Sequence, residues 1–147
     1  MLKVAAPPYL YSGPSPVASL ATVLTGLDVN EARGDALRAD ICAKTARVLG
    51  CLEQIDALTP NHSGLPVIEI PIAHHDQIAE VGRILFDRGI YVTMAVYPLV
   101  PRDEVGVRVQ ITAANTHAEI DRLIISLTDL AARGMLQPRS RAQERAA

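Results

Sequence analysis

The chain has 147 residues, 49% of them hydrophobic and 20% charged, a balance that fits one ordinary soluble domain with a core and excludes extended disorder. Lys and Arg number 14 against 16 Asp and Glu, a formal net charge of −2, so no broad basic field exists to hold nucleic acid or an anionic membrane. Trp is absent and only Tyr9, Tyr11, Phe86, Tyr91 and Tyr97 are aromatic, which argues against a base-stacking platform, and without an apolar run long enough for a span or a signal peptide the chain reads as cytoplasmic.

Residues 7–16 carry four prolines and a glycine, the composition of a shaped loop with few free backbone donors. Ser15 followed by Pro16 has the pattern of an N-cap with proline at the first helical position, and Val17, Leu20, Ala21 and Leu24 predict a short helix over 16–25 that stops at Gly26. From 29 to 57, Ala32, Ala36, Ala39, Cys42, Ala43, Ala46, Leu49, Leu52 and Ile55 step by three and four, predicting one long amphipathic helix. Cys42 and Cys51 fall on different turns of it and read as buried or half-buried small residues rather than a disulfide. Residues 59–66 have loop chemistry, and 67–72 a strand closed by proline.

After His74, the residues Ile78, Val81, Ile84, Leu85 and Phe86 predict a helix over 75–88, with Gly89 as its C-terminal glycine. Strands follow at 91–97 and 107–112, expected to pair antiparallel around the intervening proline-containing loop. Thr116 and Glu119 have capping-box spacing, and Ile120, Leu123, Ile124, Leu127 and Leu130 continue a helix to about 132, ended by Gly134. From Arg133 on, four arginines against one glutamate make a basic tail, expected to be flexible. The expected fold is α+β: a small, mainly antiparallel sheet in a β-α-β-β-α order, covered by helices and preceded by a short helix and a long amphipathic one.

Few residues single themselves out chemically. His74, His75 and Asp76 read as the polar start of a helix, because adjacent histidines diverge and no further ligand stands at metal spacing; no metal site is expected. His62 and His117 have no visible triad partner. Ser12 is not a nucleophile elbow, but its hydroxyl beside Gly13 and near a helix start suits an anion such as phosphate. Arg108 stands in a strand of apolar and small residues. It either shares an exposed face with Gln110 and Thr112, or it turns inward, where its guanidinium fork would grip a carboxylate.

One ordered series is more specific than any of these motifs. Tyr9-Leu10-Tyr11-Ser12-Gly13-Pro14, then Gly89-Ile90-Tyr91-Val92, then Tyr97-Pro98 to Pro101, then Val107-Arg108-Val109-Gln110-Ile111-Thr112 through Asn115-Thr116 to Ile120-Asp121, resembles the C-terminal part of the α-oxoamine synthases. These are fold-type I, pyridoxal-phosphate-dependent enzymes of the aminotransferase class I/II superfamily. The resemblance spans residues 3–130. It implies a transferase that joins an amino acid to an acyl group, with pyridoxal phosphate as electron sink. It further implies that Arg108 binds the amino acid carboxylate, being the second arginine of an Arg-apolar-Arg pattern whose first position is Gly106 here. Ser12 would lie near the cofactor phosphate of the neighbouring subunit in a homodimer. Asn115 replaces a histidine common in the family.

The family's Schiff-base lysine precedes the tyrosine-serine segment by more residues than stand before Tyr9 here. Of the two lysines present, Lys3 is too close to Tyr9 and Lys44 is expected to be a solvated residue of the long helix. The expectation is therefore a C-terminal domain with no catalytic residue of its own, inactive alone and binding the cofactor weakly or not at all, whose partner is a missing N-terminal large domain or a split subunit. Residues 1–28 would be a remnant of the large domain, 29–58 a connecting helix, 59–134 the small domain and 135–147 the tail. The alternative is a free-standing carboxylate-binding or dimerisation module.

Overall fold

A computed structural model describes residues 16–139. Helix α1 runs without interruption from Val17 to Gln54. The expected break at Gly26, between helices at 16–25 and 29–57, is absent. Space around Gly26 is open and no proline follows it, and a lone glycine costs only about 1 kcal/mol in a helix interior, too little to end one. The chain divides into two compact units, Met1–Ala36 and Leu37–Ala147. In the first, Val17, Leu20, Val23, Leu24 and Leu27 are each more than half exposed.

In the second unit, the part of α1 beyond Leu37 buries Lys44, Thr45, Val48, Cys51 and Leu52. The alanine stripe expected to face the core does not: Ala39, Cys42, Ala43 and Ala46 are exposed. The buried face is displaced around the helix because two polar residues, Lys44 and Thr45, occupy its middle and satisfy themselves locally. The Thr45 hydroxyl donates to the Ile41 carbonyl at 2.8 Å, and Lys44 pairs with Asp40.

Three short strands follow: β1 (Val67–Pro71), β2 (Thr93–Ala95) and β3 (Gly106–Gln110). They form an antiparallel sheet in the order β1-β3-β2, with Ile68 opposite Val109, Glu69 opposite Arg108, Pro71 opposite Gly106, and Thr93 opposite Arg108 from the other side. Side chains alternate between the faces of a strand, so Ile68, Ile70, Val107 and Val109 enter the core. There they meet Val81 and Leu85 of α2 (Ile78–Asp87), Ile120, Leu123, Leu127 and Leu130 of α3 (His117–Ala132), and Val48 and Leu52 of α1. Each such side chain contributes about 1.5–3 kcal/mol by leaving water.

The helix ends follow their chemistry. Thr116 and Glu119 form a reciprocal capping box: the Glu119 N–H donates to Thr116 Oγ1 at 3.2 Å, and the Thr116 N–H donates to the Glu119 carboxylate at 2.7 Å. Gly89 and Gly134, after α2 and α3, have φ of 74° and 69°, the left-handed conformation that glycine adopts without strain. Beyond Gly134 the structure corrects the expectation of a flexible tail beginning at 135. Met135, Leu136 and Gln137 are buried. The Ala73 N–H donates to the Met135 carbonyl at 2.9 Å, Leu58 to Gln137 at 2.7 Å and Arg139 to Asp56 at 2.9 Å. Apolar side chains and paired backbone hold this segment, whereas charge alone had marked it as solvated.

Candidate functional site

The outer face of the sheet, opposite the core, holds the candidate site. Parity places Glu69, Arg108 and Thr93 there in one cross-strand row, and Pro71, Gly106 and Ala95 in the next. Arg108 is on the central strand and is half-buried. Its Nε is buried without a hydrogen-bond partner, and its guanidinium makes no ion pair among the described residues, although Glu69 is its register partner. An unsatisfied buried donor of this kind costs about 1–3 kcal/mol. Both readings of Arg108 open from sequence thus contain part of the answer. The residue alternates with Val107 and Val109 on the outer face and is half-buried there, with its Nε shielded from water.

Gly106 lets β1 and β3 approach closely. A Cβ built on it would stand 2.4 Å from the Ile70 carbonyl oxygen and 2.8 Å from the Pro71 Cα. Beside this small-residue row opens a cavity of about 480 Å³, bordered by Glu69, Ala95, Val100, Glu104 and, from the loop after α1, Thr59 and His62. Arg108 lies next to the cavity rather than among its lining. The loop wall is built by Asn61, whose side-chain amide donates to the carbonyls of Leu65 at 2.7 Å and Val67 at 2.8 Å, while its oxygen accepts from the Gly64 N–H at 3.0 Å. Outside this lining, the Arg102 guanidinium lies over the Tyr97 ring, 4.9 Å from its centre.

Other residues noted in the sequence fall elsewhere. Ser12, with Tyr9 and Tyr11, lies outside the described residues. Asn115 serves the backbone: its side-chain oxygen accepts from the Thr112 N–H at 2.8 Å and the Thr112 hydroxyl at 3.0 Å, which shapes the turn into α3. Glu119, which accepts the Thr116 N–H, is held below the usual carboxylate range by that backbone hydrogen bond. Lys44 is not solvated. It is 3% exposed, pairs with Asp40 and donates to the Ala113 carbonyl at 3.4 Å. His74 and His75 border a second, smaller cavity with Arg102. Among the described residues no group of three His, Cys, Asp or Glu side chains is arranged for a metal ion, and no helix is long and apolar enough to cross a membrane. Sequence reasoning missed Glu69, Glu104 and Thr59. Only Glu69 left a signal, as the charged residue of an otherwise apolar strand.

No protein-family model matches the chain. Among curated proteins it is 31% identical over 133 residues to the 8-amino-7-oxononanoate synthase of Maricaulis maris, covering 88% of this chain and 31% of the relative. To the mitochondrial 2-amino-3-ketobutyrate coenzyme A ligase of Bos taurus it is 26% identical over 130 residues, covering 88% of this chain and 30% of the relative. The chain therefore spans about 30% of the length of the curated relatives it matches. Two solved structures share its fold over 90% of its length. The serine palmitoyltransferase of Sphingomonas wittichii superposes with a TM-score of 0.77 at 20% identity, covering 33% of that chain. The 8-amino-7-oxononanoate synthase of Francisella tularensis does so with 0.74 at 19% identity, covering 38%. In sequence and fold, then, this chain is similar to the C-terminal part of the α-oxoamine synthases, a group of pyridoxal-phosphate-dependent enzymes.

Proposed function

We propose that the chain forms the C-terminal domain of a pyridoxal-phosphate-dependent transferase of the amino acid C-acyltransferase kind, and that Arg108 holds the carboxylate of the amino acid substrate. The observation that carries this reading is the Arg108 Nε, buried at the centre of the outer sheet face without a hydrogen-bond partner among the described residues. A planar fork of donors matches a carboxylate with two parallel charge-assisted hydrogen bonds. The activities of the relatives, an oxononanoate synthase and a ketobutyrate ligase, suggest the reaction class.

The described residues do not by themselves fit the cofactor. Lys44, the one lysine among them, is buried against Asp40 and the Ala113 carbonyl, so its amine is not presented to a cavity. The imine-forming amine is assigned instead to the portion of the relatives that this chain does not span. In this reading Arg108 orients the amino acid and takes no part in proton transfer. Ser12 would reach the cofactor phosphate of a neighbouring subunit in a homodimer.

The experiment replaces the corresponding C-terminal part of the Maricaulis maris enzyme with this chain and compares it with the same chimera carrying Arg108→Ala. Loss of a bidentate carboxylate contact should raise KM for the amino acid by roughly a hundredfold, with Arg108→Lys recovering part of it. A chimera that folds as a dimer, binds cofactor and is indifferent to Arg108→Ala would remove the role given to this residue. Failure to produce activity in the chimera or with the N-terminal portion supplied in trans would count against the transferase itself.

A further inference from the structure

We infer that the cavity beside Arg108 receives a cationic group, an ammonium or guanidinium carried on an aliphatic chain of the same substrate whose carboxylate Arg108 holds. The inference deepens the function proposed above and rests on Arg108 being the carboxylate grip.

Four observations converge on it. First, the cavity has a volume of about 480 Å³, within the ~300–1,000 Å³ range of small-molecule sites. Second, its floor is the row Pro71, Gly106 and Ala95, immediately next to the row that contains Arg108. Two residues along a strand span roughly 6.8 Å, the reach of an extended chain of a few methylenes. Val100 and Leu58 give that chain apolar walls. Third, the lining includes the carboxylates Glu69, Asp103 and Glu104 and no Lys or Arg, so the field inside favours a positive group and disfavours a second carboxylate or a phosphate. Fourth, Glu69 and Arg108 are register partners and yet neither forms an ion pair among the described residues. Two opposite charges thus stand side by side on a single face.

The test is an amide chemical-shift titration of the full chain with four probes: ε-aminocaproate, caproate, adipate and hexylamine. The expected result is that ε-aminocaproate binds roughly threefold to tenfold more tightly than caproate, the increment of one charge-assisted contact at a half-open site. Glu69→Gln should abolish that advantage, while caproate binds as well as before or somewhat more tightly. Arg108→Ala should weaken both carboxylates and spare hexylamine. Glu69 is exposed, so its glutamine variant is expected to fold; should its spectrum lose dispersion, Glu104→Gln makes the same test from the opposite wall. Adipate binding as well as ε-aminocaproate would overturn the cationic preference while leaving Arg108 as a carboxylate grip. Hexylamine binding with no response to any carboxylate would overturn the role of Arg108, and with it the inference in this form. Silence toward all four probes would overturn both.

Discussion

Gly106→Ala probes the junction between fold and site. The new Cβ would stand 2.4 Å from the Ile70 carbonyl oxygen, 2.8 Å from the Pro71 Cα and 2.9 Å from the Ile70 carbonyl carbon. Comfortable carbon–oxygen contacts between strands begin near ~3.3 Å, so β1 and β3 must part by close to ~1 Å. All three obstacles are backbone atoms, and no side chain can rotate away to relieve them. Overpacking of this kind costs about 1–3 kcal/mol, against which the reduced freedom of the unfolded chain returns about 0.4–1 kcal/mol. A net loss of about 1–2 kcal/mol corresponds to a fall in Tm of roughly 5–15 °C for a unit of this size. Thermal unfolding followed by circular dichroism measures it, and the denaturant m-value should stay constant. Gly50→Ala is the matched control, because its Cβ enters open space inside α1 and should stabilise by about 0.5–1 kcal/mol. A Gly106→Ala protein as stable as the parent, beside a stabilised Gly50→Ala protein, would refute the close-approach reasoning.

Lys44→Ala should destabilise the chain by about 1–3 kcal/mol, read as a lower Tm, because it leaves a void and strips Asp40 of its partner; an unchanged Tm would mean the buried ammonium contributes nothing. Arg108→Met should leave Tm unchanged or raise it slightly, since it removes an unsatisfied buried donor, and a clear fall in Tm would show that Arg108 is structural. Asp129→Asn should lower stability in a pH-dependent way. Arg88 first, and then Arg133 at 2.9 Å, hold the Asp129 carboxyl below its usual range, so its contribution is present above the ordinary aspartate value of about 3.9 and disappears as pH falls through the lower folded value. The Tm curves of the two proteins should converge at acid pH, and a gap that persists there would rule out the carboxylate as its cause.

The parts of the fold legible in the sequence are those set by local chemistry. Thr116 and Glu119 declare the start of α3, Gly89 and Gly134 close two helices, and alternation in 107–110 marks the central strand, all of which need only neighbours a few residues away. What failed depended on distant partners. Lys44 reads as solvated until the Ala113 carbonyl is brought over it by the turn into α3, and the alanines of α1 read as core until Val48 and Leu52 show which side the sheet occupies. Met135 and Leu136 were hidden by the arginines that follow them. In the site, the position of Arg108 on its strand was readable, and the hollow beside it was not. That hollow exists because a loop pinned by Asn61 and the segment before β3 rise on either side of a row of short side chains.

The segment from Met135 to Arg139 has a consequence for how the chain is made. Its backbone supplies the partners for Leu58 and Ala73, and Gln137 donates back to the Pro71 carbonyl at 3.0 Å, joining the end of α1 and the end of β1 to residues synthesised some sixty to eighty positions later. These are among the most widely separated contacts of the unit, and closing such loops slows folding. During synthesis, β1 and the corner after α1 therefore emerge with unpaired backbone groups and wait for the far side of α3 to be made. Over that interval the nascent chain presents a bare strand edge, the kind of surface on which incomplete chains pair wrongly.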